Sequence, residues 1–237
     1  MNNEQNNKNN FSQDTLITNT IKYIISQLDR LNIAYIILGS IGAQSYLDHF
    51  IRLPKDIDIL IFKKDLKILI EYCKKDKIKV IKKPGRVKLI TENIMIHIIP
   101  GEMSIEDCVK KEIFAKIQLS QYLYKPVIRN IKLFYSDDNI LINVLPVEIC
   151  LFLELDRPPN TNVLITLFNV LKKCDVNNKI FASFLKKNRV FENIVLSNLL
   201  QYETMLNLLT CESVTEILTV KTKINLIYNY TLTELNL

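Results

Sequence analysis

The spacing of the apolar residues changes near residue 145, and this change constrains the fold more than any other feature of the chain. Before it, the apolar runs are short and rich in β-branched residues, and turn residues such as Pro84-Gly85 separate them. After Pro146 the apolar residues recur mainly at helical spacing to the end of the chain. We therefore predict an α+β fold, with an α/β-type N-terminal half and a helical C-terminal region. The predicted strands cover residues 34–38, 56–62, 78–83, 87–91, 94–99, 127–135 and 140–144.

The N-terminal segment divides into two parts. Residues 1–13 are rich in asparagine and lack apolar periodicity, which is typical of a disordered tail. Asp14 can then cap a helix, because the apolar residues that follow it recur on one helical face. We predict a tail over residues 1–13, a first domain over 14–145 and a helical region over 146–237. Shorter helices are expected over residues 41–49 and 65–75 and at a capping-box-like start formed by Ser104 and Asp107.

The composition limits the class of protein. Hydrophobic residues make up 48% and charged residues 24% of the 237 residues, which excludes a fibrous or a fully disordered chain. The chain has no run of about 18 uncharged apolar residues, and its first ten residues are polar, so we expect no membrane span and no signal peptide. Its five cysteines form no C-x-x-C pair, which favours buried thiols in a reducing, cytoplasmic compartment. The net charge of +6 suits a partner that carries phosphates.

Two carboxylates one strand period apart form the first pattern with chemical meaning. Asp56 and Asp58 open an apolar strand, so both side chains point to the same face of it. Such a pair of oxygen ligands suits Mg²⁺ or Mn²⁺, and these ions in turn bridge the phosphates of a nucleotide. Upstream, Gly39 and Ser40 end an earlier strand, where glycine permits close backbone approach and helix N-terminal N–H groups can bind phosphate.

In their order, Gly39, Ser40, Asp56 and Asp58 resemble the signature of the nucleotidyltransferase superfamily, which has the fold of polymerase beta. That signature is Gly-[Gly/Ser], a spacer of about a dozen residues, and Asp-h-[Asp/Glu]-h, where h is apolar. The segment Arg52-Leu53-Pro54-Lys55-Asp56-Ile57-Asp58 is most similar to AbiEii-like and related minimal bacterial members. Leu145-Pro146-Val147-Glu148 also fits a later helix-opening motif of these families, whereas Arg157-Pro158-Pro159-Asn160 lacks the usual aspartate of the next one.

The resemblance implies a mixed sheet flanked by helices and a two-metal transfer of a nucleoside monophosphate. Asp56 and Asp58 would hold Mg²⁺ or Mn²⁺, Gly39 and Ser40 would bind the phosphates of a nucleoside triphosphate such as ATP, and Arg52 and Lys55 would be further phosphate contacts. The third carboxylate of the family belongs on the strand over residues 94–99, and there this chain has His97. Glu92 and Glu102 flank that strand without the right register. The acceptor stays open between an RNA end, a protein and a small molecule.

Other interpretations of the same residues remain. Because His97 replaces a carboxylate, the chain can also be a catalytically impaired binding protein, or a partner in a toxin–antitoxin or phage-defence pair. The aspartates can be solvated residues at a strand start, His97 a core histidine, and Ser40 a plain helix cap. The lysine-rich stretch over residues 63–88 is either a solvated face or a rim that attracts triphosphate or RNA. A third possibility is an interaction protein that uses an apolar stripe in its helical half, formed by Ile194, Val195, Leu199, Leu200, Leu206, Leu208 and Leu209.

Overall fold

A computed structural model of the chain describes residues 2–83, 85–91, 94–101, 119–132, 139–210 and 212–236. Side chains are described from residue 15 onward, with the exception of residue 190. The chain divides into two compact units, Met1–Leu145 and Pro146–Leu237. The predicted Glu92-Asn93 turn, the Ser104 helix start and Glu102 lie outside the described residues.

The first unit is built on a seven-stranded mixed sheet, which confirms the predicted α+β fold class. Its strand order is β3-β4-β5-β2-β1-β7-β6. The pairs β2–β5 and β1–β7 are parallel, and the remaining neighbours are antiparallel. The strands are β1 (Tyr35–Leu38), β2 (Asp56–Ile61), β3 (Lys79–Lys83), β4 (Arg86–Ile90), β5 (Met95–Pro100), β6 (Val127–Ile131) and β7 (Ile140–Val144).

Strand β2 lies between β5 and β1, and its alternating side chains separate core from site. Ile57 and Ile59 are fully buried on one face, whereas Asp56 and Asp58 reach solvent on the other. Three helices accompany the sheet: α1 (Asn2–Arg30), α2 (Gly39–Gln44) and α3 (Leu66–Lys75). Helix α3 buries Leu69, Ile70 and Cys73, as its apolar spacing predicts, while Leu66 of the same predicted face is only half-buried.

Two helix boundaries differ from the sequence-based expectation. The backbone of α1 is helical from Asn2, where the asparagine-rich composition predicted a disordered tail and a helix start after Asp14. Extending an existing helix by one residue costs far less than starting one, so a polar segment can continue a helix whose later turns are packed. Helix α2 ends at Gln44 and not near residue 49, because the Gln44 side chain binds the backbone of the following loop.

The second unit is helical throughout its described part. Its helices are joined by polar caps: the Asn160 side chain accepts a hydrogen bond from the Val163 N–H, and Ser213 forms a capping box with Glu216. Every residue of the first helix, α4, is buried, and Phe152 packs at its centre against three other phenylalanine rings. The helices are α4 (Val147–Leu155), α5 (Thr161–Lys173), α6 (Asn178–Lys187), α7 (Glu192–Met205) and α8 (Val214–Leu235).

The motif-like residues of the second unit make structural contacts within it. Glu148 is buried and accepts a hydrogen bond of 2.9 Å from the Asn177 N–H. Asn198 donates to the carbonyl groups of Leu155 and Arg157, at 2.7 and 2.8 Å, and so holds the C-terminal end of α4. These contacts explain a buried glutamate and a buried asparagine without a ligand.

The apolar stripe that sequence analysis assigned to this unit does not form one surface. Val195, Leu199 and Leu206 are fully buried, whereas Ile194, Leu200 and Leu208 are exposed. Most of the stripe's packing therefore belongs to the core. None of the described helices is both long and apolar enough to cross a membrane.

Candidate metal centre

The parallel pairing of β2 with β5 brings three predicted site residues together. Asp58 lies directly beside His97, and Asp56 lies beside Met95, one residue pair nearer the start of both strands. Side chains of paired residues point to the same sheet face, so the imidazole and both carboxylates converge there. Two strands that are far apart in sequence thus supply one cluster.

The distances in this cluster are those of a ligand set. The His97 Nδ1 atom lies 3.0 Å from Asp58 Oδ1 and 3.6 Å from Asp56 Oδ2. One ligand atom from each of the three side chains lies within 4.8 Å of the other two, so the cluster could hold a metal ion. The exposed fraction of the side chain rises from 8% at His97 through 14% at Asp58 to 43% at Asp56. The centre is therefore fixed at its base and open to solvent at Asp56.

The second nitrogen of His97 has its own partner. Nε2 lies 3.0 Å from the sulfur of Met95 on the same strand. When the ring proton is on Nε2, the thioether accepts it as a weak acceptor, and the lone pair of Nδ1 faces the two carboxylates. That tautomer is the one in which an imidazole binds a metal through Nδ1. Met95 therefore supports His97 as a ligand, a role that sequence analysis did not assign to it.

Gly39 is required by the close approach of the backbone to Asp58. Its φ of +62° lies in the left-handed region, which side chains other than glycine rarely adopt. A Cβ atom built on Gly39 would lie only 2.6 Å from Asp58 Oδ2. This contact follows from the antiparallel β1–β2 register, in which Leu38 faces Asp58. The glycine predicted from the sequence thus sets the position of a carboxylate as well as permitting a turn.

Ser40 is the second residue of α2 and is half-buried. The N-cap position of this helix is occupied by Leu38, which makes no side-chain capping bond, so the interpretation of Ser40 as the N-cap is wrong. The left-handed Gly39 lets the helix start without a polar cap, directly beside Asp58.

Gln44 fixes the loop that leads into β2. Its side chain is fully buried, and its Oε1 atom accepts hydrogen bonds from the Ile51 and Arg52 N–H groups, at 2.9 and 3.1 Å. Its amide nitrogen donates to the Arg52 carbonyl at 3.3 Å. Arg52 is half-buried on this loop, and the exposed Lys55 immediately precedes Asp56. Sequence analysis missed Gln44, although a glutamine within the apolar helical segment 41–44 was a signal.

Lys88 is a second residue that sequence analysis did not assign to the site. In the antiparallel β4–β5 pair it lies directly opposite His97, on the same sheet face as the carboxylates. The lysine was counted only as part of a basic stretch, since its partner strand cannot be recognised from local sequence. The register therefore adds a cation beside the acidic cluster.

Comparisons with known proteins give structural likenesses only. No protein family and no curated protein matches the sequence. The solved structure of the lincosamide antibiotic adenylyltransferase LnuA, with lincomycin bound, is 14% identical, covers 63% of this chain and 93% of its own, and has a TM-score of 0.43. A solution structure of the antibiotic-resistance factor ANT(2″)-Ia is 10% identical, covering 91% of this chain and 95% of its own, with a TM-score of 0.40. The ANT(2″)-Ia complex with adenylyl-2″-tobramycin is 11% identical, covering 81% and 99%, with a TM-score of 0.40.

Proposed function

We propose that this chain is a metal-dependent nucleotidyltransferase, which moves a nucleoside monophosphate from a nucleoside triphosphate to an acceptor hydroxyl. The observation that carries the proposal is the convergence of Asp56, Asp58 and His97 within 4.8 Å on an open sheet face. The order of Gly39, Ser40, Asp56 and Asp58 along the chain supports it, because it resembles the superfamily signature. The segment from Arg52 to Asp58 favours the AbiEii-like subgroup within that resemblance.

The donor set fits a divalent ion, with Mn²⁺ favoured over Mg²⁺. Asp56 and Asp58 supply carboxylate oxygens and His97 supplies an imidazole nitrogen. Mg²⁺ prefers oxygen ligands almost entirely, whereas Mn²⁺ accepts imidazole together with carboxylates. When bound here, such an ion would neutralise phosphate charge and polarise the α-phosphoryl group.

The protein side chains then have distinct tasks in the transfer. The acceptor oxygen forms a bond to the α-phosphorus, the bond from that phosphorus to the bridging oxygen of pyrophosphate breaks, and the hydroxyl proton leaves to solvent. Asp58, held between Gly39 and His97, is the fixed ligand, and the more exposed Asp56 faces the substrate. Gly39 and Ser40 border this position and would contact the phosphates. Preorganisation of this kind needs no rearrangement during the reaction.

Three cations are available for the triphosphate near these ligands. Lys55 is exposed and adjacent to Asp56 in the chain, and Arg52 is held on the same loop by Gln44. Lys88 approaches from the other side, opposite His97. Cations on both sides of an acidic centre suit a ligand that brings negative phosphates to a metal.

The histidine also favours a second candidate function. With an imidazole in place of the third carboxylate, the centre carries less negative charge, and the chain would then bind metal and nucleotide without transfer. A binding module of this kind could act as a toxin–antitoxin or phage-defence partner. The two candidates differ in one product, since only the first releases pyrophosphate.

The experiment is label transfer. Purified protein is incubated with each α-labelled nucleoside triphosphate, with Mn²⁺ or Mg²⁺, and with total RNA and cell extract as acceptors. The double variant Asp56→Asn/Asp58→Asn runs beside it, and Asp48→Asn is the control at an exposed aspartate outside the cluster. We expect label in RNA, protein or a small product with wild type and Asp48→Asn only. Transfer by the folded double variant would refute the assigned role, and no transfer by any folded protein would favour the binding module.

A further inference from the structure

A basic cleft lies in the first unit, apart from the acidic cluster. It has a volume of about 600 Å³ and is bounded by α3 and the turn before it on one side and by the β3–β4 hairpin on the other. Its described lining holds a single carboxylate, Glu71, against six cationic side chains. These are Lys63, Lys67, Lys74, Lys82, Lys83 and Arg86.

The sheet register shows that this cleft is not the candidate metal centre. Val87 lines the cleft and pairs with Ile98, whereas the next pair along the strands is Lys88 with His97. Neighbouring residues of a strand point to opposite faces, so the cleft opens on the face opposite to the carboxylates. Any ligand of the cleft therefore occupies a second site.

The walls and the floor of the cleft differ in chemistry. Leu66, Ile70, Val87 and Pro100 contribute apolar surface to its lining. The cations stand along the rims and do not converge on one point. For example, Lys67 and Lys74 are two turns apart on α3, a separation of about 10 Å along the helix axis.

We propose that this basic cleft binds a single strand of nucleic acid through its phosphodiester backbone. Positive charge spread along two rims matches a ligand whose negative charges repeat along its length, more than a compact anion with one focus of charge. The volume is that of a pocket and is too small to seat a duplex. The described lining contains no aromatic ring for base stacking, so the strand is held by its backbone with little sequence preference.

The inference goes beyond the proposed function, because strand binding requires no transfer and no metal. The two can still cooperate. Arg86 lies on the cleft rim, and Lys88 is the next residue of β4 on the face of the carboxylates. A strand leaving the cleft around the β3–β4 edge would pass these cations on its way to His97, which is the course an RNA acceptor would need.

The test measures the fluorescence anisotropy of a labelled, unstructured RNA strand and of a DNA strand of the same sequence, without added metal. The variant Lys74→Ala/Lys82→Ala/Lys83→Ala removes three exposed cations of the cleft. The control Lys125→Ala/Lys179→Ala/Lys187→Ala removes three exposed lysines elsewhere and has the same net charge. Circular dichroism and thermal unfolding establish that each variant is folded.

We expect the cleft variant to bind at least about tenfold more weakly and the control to bind like wild type. Each lost phosphate contact on a single strand lowers the salt slope by about 0.7, so the slope between about 50 and 200 mM salt should fall by about 2. Weaker binding of both RNA and DNA, or of RNA alone, supports the proposal and identifies the sugar that is recognised.

Three results would overturn it. Equal losses in the cleft variant and the control would assign the binding to net charge. Displacement of the strand by tripolyphosphate at the strand's own concentration would make the cleft a small-anion site. Variant-sensitive binding to phosphatidylserine vesicles without strand binding would make it a membrane contact.

Discussion

A methyl group at position 39 tests the geometry of the metal centre without removing any ligand. In Gly39→Ala the new Cβ would lie 2.6 Å from Asp58 Oδ2, and ordinary contacts of this kind begin at about 3.4 Å. The Asp58 carboxylate must therefore move, and its 3.0 Å contact with His97 Nδ1 is lost or distorted. The φ of +62° adds strain of about 1–2 kcal/mol for a residue with a side chain.

The matched control is Gly85→Ala. Gly85 has a φ of +72° on the β3–β4 turn, so alanine meets the same kind of backbone strain away from the carboxylates. Each variant should unfold at a temperature lower by roughly 2–8 °C, from about 2–4 °C per kcal/mol at this chain length. Only Gly39→Ala should also lose Mn²⁺ affinity, by roughly 10–100-fold, as when a group that orients a ligand is removed.

The assay is a titration with Mn²⁺, in which the electron paramagnetic resonance signal of the free ion reports the bound fraction. Thermal unfolding of the same samples measures the strain. If Gly39→Ala and Gly85→Ala bind Mn²⁺ equally well, the position of Asp58 does not govern the site, and the structural argument for Gly39 fails.

Three further predictions concern the ligand set, the loop and pH. His97→Asp supplies the carboxylate expected from the resemblance, so it should shift metal preference from Mn²⁺ toward Mg²⁺; competition binding that shows an unchanged preference would argue against His97 as a ligand. Gln44→Ala leaves the Ile51 and Arg52 N–H groups without their acceptor and should lower the free energy of unfolding by about 1–3 kcal/mol in urea, whereas a change below about 0.5 kcal/mol would contradict its anchoring role. The Lys172 ammonium and then Ser213 lower the pKa of Glu216 to about 2 from 4.5, so this carboxylate stabilises the folded state above pH 4.5 and the stabilisation disappears as the pH falls toward 2. Glu216→Gln should therefore unfold at a lower temperature than wild type at pH 7, and a difference that stays constant down to pH 2 would contradict the assignment.

The strands were predictable because their signals are local. The runs that became β1, β2 and β5 are short, β-branched and bounded by turn residues, and their observed ends lie within one residue of the predicted ones. The end of α2 was not predictable from local pattern, because it depends on the hydrogen bonds of Gln44 to a loop seven and eight residues later. The helical start of α1 at Asn2 likewise depends on helix continuation and not on local composition.

The site was predictable only in part, for the same reason. The Asp-Ile-Asp alternation places Asp56 and Asp58 on one face from sequence alone. His97 was suggested by resemblance, but its contact with Asp58 depends on the parallel β2–β5 register across 39 residues. Lys88 and Met95 were missed, since the first depends on the β4–β5 register and the second on the rotamer of the histidine ring. Local sequence contains neither kind of information.

The most direct test of the central claim is independent of the unknown acceptor. It measures the binding of a nucleoside triphosphate analogue, with a methylene group between the α- and β-phosphorus atoms, by calorimetry with and without Mn²⁺. We predict that wild type binds the analogue only with the metal, and that folded Asp56→Asn/Asp58→Asn does not bind it under either condition. Equal binding by wild type and the double variant, or no binding by wild type with any of the four bases, would contradict the assignment of Asp56, Asp58 and His97 as a metal–nucleotide centre.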